Sequence, residues 1–392
     1  MLNDTQRAIV KSTVPLLETG GEALTKHFYK ILLSESDELR ALFNPAHQAS
    51  GDQPRALANG VLMYAKNIDR LEALGDLSAK IVNKHVSLQV QPEHYPIVGA
   101  CLLRSIREVL GDEIATDEVI DAWAAAYQQL ANILIQAEEQ AYAATQAATG
   151  GWRGERAFRV TRKEAESSEI TSFYLEPVDG GSVVEYQAGQ YIGLRLQIAD
   201  QDQRRNYSLS AAPNGRLLRI SVKRQVNGLV SNHLHDHVSP GDLLRVFPPA
   251  GDFTLKDSAK PLVLISAGVG ITPALAMLQQ ALKSPRPIYF IHCARNSAVH
   301  AFRETVDAWQ AMHPQLKRFY CYDEASEADD VDGVGRLDQD RLAQWLPSHM
   351  DVDAYFLGPQ PFMALVKRNL TALKVPENQT HFEFFGPAVA LN

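Results

Sequence analysis

The hydrophobic residues of this chain change their period twice along its length, and those two changes limit the fold more than any other feature. Up to about residue 148 apolar positions recur at helical spacing, in a segment rich in Ala, Leu, Gln and Glu. Asp4-Thr5-Gln6 opens a first helix in which Ile9, Val10, Val14, Leu16 and Leu17 supply the apolar spacing. Further helices are expected near 21–33, 52–67, 76–87, 93–110 and 117–145, with Pro45, Pro92 and Gly111 between them as breakers. Such a run of helices without a strand pattern predicts an all-α domain over 1–148 that could surround a buried ligand.

Gly150-Gly151-Trp152 marks the first change. Beyond it Phe158–Thr161, Ile170–Glu176, Tyr191–Leu196, Tyr207–Ala211 and Leu217–Lys223 read as strands, separated by turns such as Asp179-Gly180-Gly181 and Pro213-Asn214-Gly215. They predict a small antiparallel β-barrel over 152–257. From about 260, Pro261–Ser266, Ile288–His292, Phe319–Tyr322 and Ala354–Leu357 look like buried strands alternating with helices. That rhythm predicts an α/β doubly wound parallel sheet over 260–392, so the fold class is multidomain.

Bulk properties exclude some functions. The net charge is −8 with no basic stripe, which argues against a nucleic-acid partner. Cys101, Cys293 and Cys321 are widely separated and odd in number, so they form neither a disulfide framework nor a metal motif, and a reducing compartment is expected. No basic segment followed by an apolar core opens the chain, and no apolar run approaches the ~20 residues that span a bilayer. A cytoplasmic monomer without a membrane span is expected.

Two motifs carry chemistry in the later segments. Arg205-Asn206-Tyr207-Ser208 offers a guanidinium, an aromatic face and a hydroxyl from one strand, as a flavin would require. Gly268-Val269-Gly270-Ile271-Thr272-Pro273 follows the apolar run Leu262–Ile265 and leads into a helix. Glycines there let the backbone approach a pyrophosphate, and the helix N-terminus favours its charge. The order is not GxGxxG. Three further stretches accompany these motifs: Gly189-Gln190-Tyr191, Gly228-Leu229-Val230-Ser231-Asn232 and Gly358-Pro359-x-x-Phe362-Met363. With the tail Glu383-Phe384-Phe385-Gly386-Pro387, the set resembles the ferredoxin–NADP reductase family over about 152–392.

That resemblance implies an FAD-binding barrel and a domain for NADH or NADPH. Arg205 would pair with the flavin pyrophosphate, Tyr207 would flank the isoalloxazine, and Ser208 would approach its N5 edge. Phe385 would cover the face that the nicotinamide must reach. Tyr191, Asn206, Val230, Ser231, the Gly268–Pro273 turn, Glu383, Phe384 and Gly386 are the remaining cofactor-binding candidates. Arg295 is open to two readings, a contact to a 2′-phosphate or a surface arginine. His233-x-His235-x-His237 would share one face on a strand, but Ser231-Asn232 predicts a helix start, where the three diverge. No carboxylate or cysteine cluster completes a ligand set, and no metal is expected there.

In the helical segment His85, near the end of a helix, could supply an axial haem ligand, with His27, His47 and His94 as competitors on sequence grounds. Tyr29, Phe43-Asn44-Pro45, Gln53, Leu57 and His85 have spacings that resemble the globin fold of the flavohaemoglobins, in which a globin is fused to such a reductase. The resemblance then spans the chain. It implies haem b with His85 on the iron and Phe43 against the haem plane. Tyr29, Gln53 and Leu57 would line the distal pocket, and Lys84, Tyr95 and Glu138 would belong to the proximal network. Glu139 competes with Glu138, and counting back from Tyr142 favours Glu138. A carboxylate on the imidazole Nδ1–H increases donation from Nε2 to iron, which favours O–O chemistry over simple oxygen carriage. A tyrosine hydroxyl can stabilise the partial charge of bound oxygen.

The implied activity is nitric oxide dioxygenase, in which NAD(P)H electrons pass through FAD to haem and nitric oxide and O2 become nitrate, detoxifying nitrosative stress. Two other activities stay open. One is reduction of an alkyl hydroperoxide, ferric iron or a quinone by the same flavin; the other is a haem gas sensor, although no output domain or DNA-binding motif is evident. An apolar or lipid ligand in the distal pocket also stays open. Trp123, Tyr127, Leu130 and Leu134 read as the core face of the last globin helix. The acidic run from Asp323 to Asp330 reads as a solvated loop.

Overall fold

The computed structural model describes residues 2–43, 51–327 and 329–385. The chain divides into two compact units, one built mainly from Met1–Ala147 and the other mainly from Ala148–Ala199 and Arg205–Phe385.

The first unit is helical. Its described α-helices are Asp4–Ser12, Val14–Glu35, Asp37–Leu42, Asp52–Lys66, Gly75–Leu88, His94–Leu110 and Asp117–Ala147. Asn3 caps the first of them, its side chain accepting from the Gln6 amide while the Gln6 side chain accepts from the Asn3 amide. The sequence suggested one helix through Leu17 and a second from residue 21; instead the break falls at Thr13. Pro15 lies in the first turn of the Val14–Glu35 helix, where its missing N–H costs nothing, so the helix starts there and runs on through Gly20-Gly21. Gly21 faces Ala58 of the neighbouring helix, and a Cβ on it would make ordinary contact at 3.6 Å. The core joins Leu24, Phe28 and Leu32 to Leu102, Ile106 and Trp123, with Tyr127 and Leu130 packed against it.

The second unit opens with six strands: β1 (Arg156–Ala165), β2 (Ile170–Pro177), β3 (Tyr191–Ile198), β4 (Gln201–Ser208), β5 (Leu218–Lys223) and β6 (Leu243–Val246). They form one sheet in the order β4-β3-β6-β1-β2-β5. Just past β4, Leu209 bridges to Ile220 of β5, and the Ser210 amide donates to the Arg219 carbonyl at 2.9 Å, which closes the sheet on itself. Phe158, Val160, Phe173, Leu175, Ile192 and Leu194 fill the interior. The strand expected at Tyr207–Ala211 lies earlier, at Gln201–Ser208. Its first six residues are polar, so no alternation marks them, and ladder bonding to β3 sets the strand instead. Four-residue β6 was too short to register as a pattern.

The rest of this unit is a second six-stranded sheet: β7 (Leu262–Ala267), β8 (Ile288–Ala294), β9 (Leu316–Tyr322), β10 (Gly333–Val334), β11 (Asp353–Leu357) and β12 (Thr380–Phe382). The order is β10-β9-β8-β7-β11-β12 and every pairing is parallel. Strand β7 is buried end to end, as a sheet covered by helices on both faces requires. From β7 the chain steps outward through β8 and β9, then returns to the other side of β7 as β11. The C-terminal ends of β7 and β11 therefore flank the switch point, the place where open α/β sheets bind ligands.

Two buried histidines adjoin this sheet, His292 within β8 and His300 shortly after it. His292 Nδ1 lies 2.9 Å from Ser266 Oγ, His300 Nδ1 lies 2.7 Å from Tyr322 Oη, and the two imidazoles are 4.6 Å apart. Burial pushes His292 down to about 3, and burial with neighbouring positive charge pushes His300 down to about 2. Both stay neutral in the folded protein at pH values where the unfolded chain takes up a proton, near 6.5. Their contribution is complete above that value and is lost as pH falls below it. The protein is expected to lose about 2 kcal/mol per histidine between pH 7 and pH 5. Thermal unfolding across that range should show a flatter acid limb for His292→Gln; an unchanged limb would contradict the account.

Candidate active site

His85 lies in the last turn of the Gly75–Leu88 helix, Tyr95 at the second position of His94–Leu110, and Glu138 on the buried face of Asp117–Ala147. Three helices thus converge on one carboxylate. Glu138 Oε1 accepts from His85 Nδ1 at 2.7 Å and from the Tyr95 hydroxyl at 2.6 Å. Nδ1 is also 3.1 Å from Tyr95 Oη. Glu138 is only 2 % exposed, whereas Glu139 points outward. Burial and the adjacent carboxylate raise the Tyr95 pKa, so its hydroxyl stays a donor. With Nδ1–H committed to the carboxylate, the imidazole tautomer leaves its lone pair on Nε2, which makes no hydrogen bond among the described residues.

The competing histidines are otherwise engaged. His27 Nε2 meets Glu108 at 2.6 Å, and His94 meets the Gln91 amide and Glu38, each at 3.1 Å. His47 lies outside the described residues, as do Asn44, Pro45 and Gly386.

A second group forms around Tyr29 of the Val14–Glu35 helix. Its ring meets Phe43 edge-on at 5.5 Å, and its hydroxyl is hydrogen bonded to Gln53. Burial raises its pKa and keeps the hydroxyl protonated. Leu57, one turn after Gln53, packs against the same core. Val90, Tyr127 and Leu130 pack against both this core and the cluster that holds Tyr95, so the two groups adjoin. Lys84 is exposed, one residue before His85.

One contributor escaped sequence reading. Tyr127 was counted as core stripe, yet its hydroxyl donates to the Tyr95 carbonyl at 2.6 Å. The helices can approach because residue 99 is glycine; a Cβ there would lie 2.5 Å from the Tyr127 ring. Tyr142 adds a bond to the Val90 carbonyl at 2.9 Å. An aromatic with a polar tip on a core stripe is the available signal, because a buried phenol needs a partner.

In the second unit Arg205, Asn206, Tyr207 and Ser208 end β4, and Tyr191 begins the adjoining β3. Tyr191 exchanges backbone hydrogen bonds with Ala250, at 3.0 and 2.9 Å. Burial lowers the Arg205 pKa, so an anionic group beside that guanidinium would be stabilised. Val230 and Ser231 lie in the first turn of Leu229–His237, whose N-terminus has no side-chain cap. Val230 is buried in the barrel core, and the Ser231 hydroxyl accepts from the Gln225 amide at 3.1 Å. The amides of that first turn, which a helix leaves without intrahelical partners, are the anion donors it can offer. Along the same helix the His233 and His237 rings lie 5.3 Å apart at a tilt of 42°, while His235 turns to the Val222 carbonyl at 2.8 Å.

At the switch point Gly268–Gly270 forms one tight turn after β7, and the Ile271–Ala281 helix follows with no side-chain cap. Thr272 spends its hydroxyl on the Val269 carbonyl, and Ile271, Thr272 and Pro273 are buried, so the turn offers backbone rather than side chains. A Cβ on Gly270 would lie 2.3 Å from the Leu357 carbonyl oxygen at the end of β11. Only glycine permits that approach. Past β12, Phe384 meets Phe382 edge-on at 5.8 Å, after partly buried Glu383, and Phe385 is 48 % exposed. Arg295 pairs with Glu169.

Comparison with known proteins draws these parts together. Three family models match in order: Globin over 26–134, Oxidoreductase FAD-binding domain over 157–255, and Oxidoreductase NAD-binding domain over 264–368. The flavohemoprotein of Pseudomonas aeruginosa is 67% identical over 392 residues, covering all of both chains. The chain belongs to the flavohaemoprotein family. A crystal structure of flavohemoglobin from Malassezia yamatoensis with bound FAD and heme superposes with a TM-score of 0.85 at 26% identity, covering 98% of this chain and 100% of that one. The flavohem-like FAD/NAD binding domain of nitric oxide dioxygenase from Vibrio cholerae is 40% identical over 60% of this chain and its own full length, with a TM-score of 0.56.

This flavohaemoprotein is therefore an NAD(P)H-dependent flavohaem oxidoreductase whose cofactors are haem, FAD and a nicotinamide nucleotide. The residues present fit them: a lone pair on His85 Nε2 for iron, the Arg205 cation for a pyrophosphate, and a side-chain-free turn at the switch point. Replacing Glu138 with glutamine should lower haem-dependent turnover by about ten- to a hundredfold, the usual cost of removing a partner behind a metal ligand. Steady-state turnover alongside the haem content of the purified variant checks this; a change in haem content alone would reject an electronic role.

Proposed function

We propose that this flavohaemoprotein is a nitric oxide dioxygenase that converts nitric oxide and O2 to nitrate with NAD(P)H electrons, in a detoxifying role. The observation that carries the reading is the hydrogen bond of His85 Nδ1 to buried Glu138, reinforced by Tyr95. A neutral, solvent-facing histidine would suit reversible oxygen carriage; a buried carboxylate behind the imidazole makes Nε2 a stronger donor and suits O–O chemistry. The Vibrio cholerae relative, named a nitric oxide dioxygenase, supports the same choice.

When bound, the nicotinamide nucleotide supplies hydride, FAD converts the electron pair to single electrons, and haem binds O2. Everything else falls to the chain. His85 Nε2 would hold the iron while Glu138 keeps the Nδ1 proton. Tyr29, protonated by virtue of its burial and paired with Gln53, presents a hydroxyl donor, and Phe43 and Leu57 keep the surroundings apolar. Such a lining admits uncharged gases and would also accept an apolar or lipid ligand. Lys84 belongs to the proximal side as the residue before His85. Arg205 and the amides of Val230 and Ser231 offer positive charge to the flavin pyrophosphate; Tyr191, Asn206, Tyr207 and Ser208 border the flavin. The Gly268–Pro273 turn would take the nucleotide pyrophosphate, and Phe385, with Glu383 and Phe384, would cover the flavin.

The domain boundaries accompanying this reading are 1–148, 152–257 and 260–392. The protein acts as a cytoplasmic monomer, and no helix among the described residues is long and apolar enough to cross a membrane.

The test is product stoichiometry. Aerobic protein given NADH and nitric oxide should form nitrate in proportion to the nitric oxide consumed. NADH oxidation that leaves nitric oxide intact, with faster turnover on an alkyl hydroperoxide, ferric iron or a quinone, would favour the reductase reading instead.

A further inference from the structure

Cys293 and Cys321 stand directly opposite one another on the neighbouring parallel strands β8 and β9, each one residue from its strand's C-terminal end. Neighbouring strands lie about 4.8 Å apart, inside the range of roughly 4.4–6.8 Å between Cα atoms from which a disulfide can close. Both side chains belong to the same packed cluster, and the two sulfurs share a hydrogen bond. Their surroundings differ. Cys321 is buried, donating to the Gly335 carbonyl at 3.1 Å, with the Arg341 guanidinium 3.7 Å from its sulfur. Cys293 is partly exposed. The hydrogen bond to Cys321 and burial hold the Cys293 thiol protonated, while that hydrogen bond and the Arg341 cation favour the Cys321 thiolate, so the pair holds one thiol and one readily formed thiolate side by side.

The pair also borders the nucleotide turn. Cys293 is in register with Ala267 of β7, and the next residue along that strand is Gly268. Any movement of β8 toward β9 is felt where the Gly268–Gly270 turn leaves the sheet.

We propose that Cys293 and Cys321 are a reversible dithiol–disulfide site, oxidised by small organic disulfides, whose closure weakens nucleotide binding. One of the two thiols, on losing its proton, attacks one sulfur of the reagent and releases a small thiol. The other then loses its proton and attacks the protein sulfur that carries the reagent, releasing the second. Two protein thiols and one disulfide become one protein disulfide and two small thiols, so protons and electrons balance. The link to nucleotide binding rests on the site proposed above; the disulfide does not.

The experiment treats the holoenzyme with hydroxyethyl disulfide, removes the reagent, and maps peptides without reduction while measuring the KM for NADH in flavin reduction. Expected are a Cys293–Cys321 cross-linked peptide and a KM raised about tenfold, since misplacement by an ångström can cost up to two orders of magnitude. Dithiothreitol should reverse both. Cys293→Ser and Cys321→Ser should each lose the cross-link and keep the starting KM under the reagent, and Cys101→Ser should respond like the wild type. A mixed disulfide persisting on either cysteine without the cross-link would overturn the site. A cross-link with unchanged KM would overturn the effect on binding. If Gly270→Ala also leaves that KM unchanged, the fault lies in the nucleotide site and not in the dithiol.

Discussion

His85→Ala is expected to cut nitric oxide turnover by roughly a thousandfold or more, while NADH-driven reduction of a soluble one-electron acceptor stays within about twofold of wild type. The asymmetry follows from the fold. His85 belongs to the helical unit, and its hydrogen bonds run to Glu138 and Tyr95 of that unit, so its loss leaves the barrel and the α/β sheet intact. The deletion also underpairs Glu138, a carboxylate 2 % exposed that would retain Tyr95 as its one donor among the described residues. Some loss of globin stability is therefore expected, since an underpaired buried charge is costly. Adding imidazole to His85→Gly separates the two effects: recovered turnover would mark a ligand, and unrecovered turnover in a folded, haem-containing variant would remove His85 from that role.

Gly270→Ala should raise the KM for NADH by about a hundredfold while the haem spectrum is unchanged. A methyl group there would sit 2.3 Å from the Leu357 oxygen and 2.6 Å from its carbon, both backbone atoms that cannot rotate away. The turn must move by an appreciable fraction of an ångström, and its amides are what a pyrophosphate would meet. Gly268 gives a matched control with a different cause, because its φ of +54° is left-handed and open space surrounds the missing Cβ. Gly268→Ala should be milder. Equal effects at the two positions would show backbone strain, and not the approach to Leu357, to be decisive. Stopped-flow flavin reduction as a function of NADH concentration measures both.

How much of this was legible depended on whether a residue announced itself through pattern or only through contact. The helical unit and the parallel sheet were readable because their apolar periods are strong: β7 is six buried residues in a row. Strand β4 was misplaced because Gln201–Asn206 is polar and owes its conformation to hydrogen bonding with β3, which no local pattern encodes. The helix break was misplaced because apolar spacing runs on through Val14, Leu16 and Leu17, whereas Pro15 in the first turn fixes the start of the second helix at Val14. Within the site, His85, Tyr95 and Glu138 were candidates through the resemblance to the flavohaemoglobins, but their convergence on one oxygen is a property of three helices. Tyr127 was seen as a core residue because hydrophobic spacing records where a ring lies and says nothing of where its hydroxyl points.

The most direct test of the central claim, that nicotinamide electrons reach a haem held by His85 in the same chain, is an anaerobic absorption spectrum under carbon monoxide before and after adding NADH. The account predicts flavin and haem bands in the purified protein, then bleaching of the flavin with a shift to the ferrous carbon monoxide form. A spectrum without haem, or a flavin that bleaches beside haem that stays ferric, would contradict it.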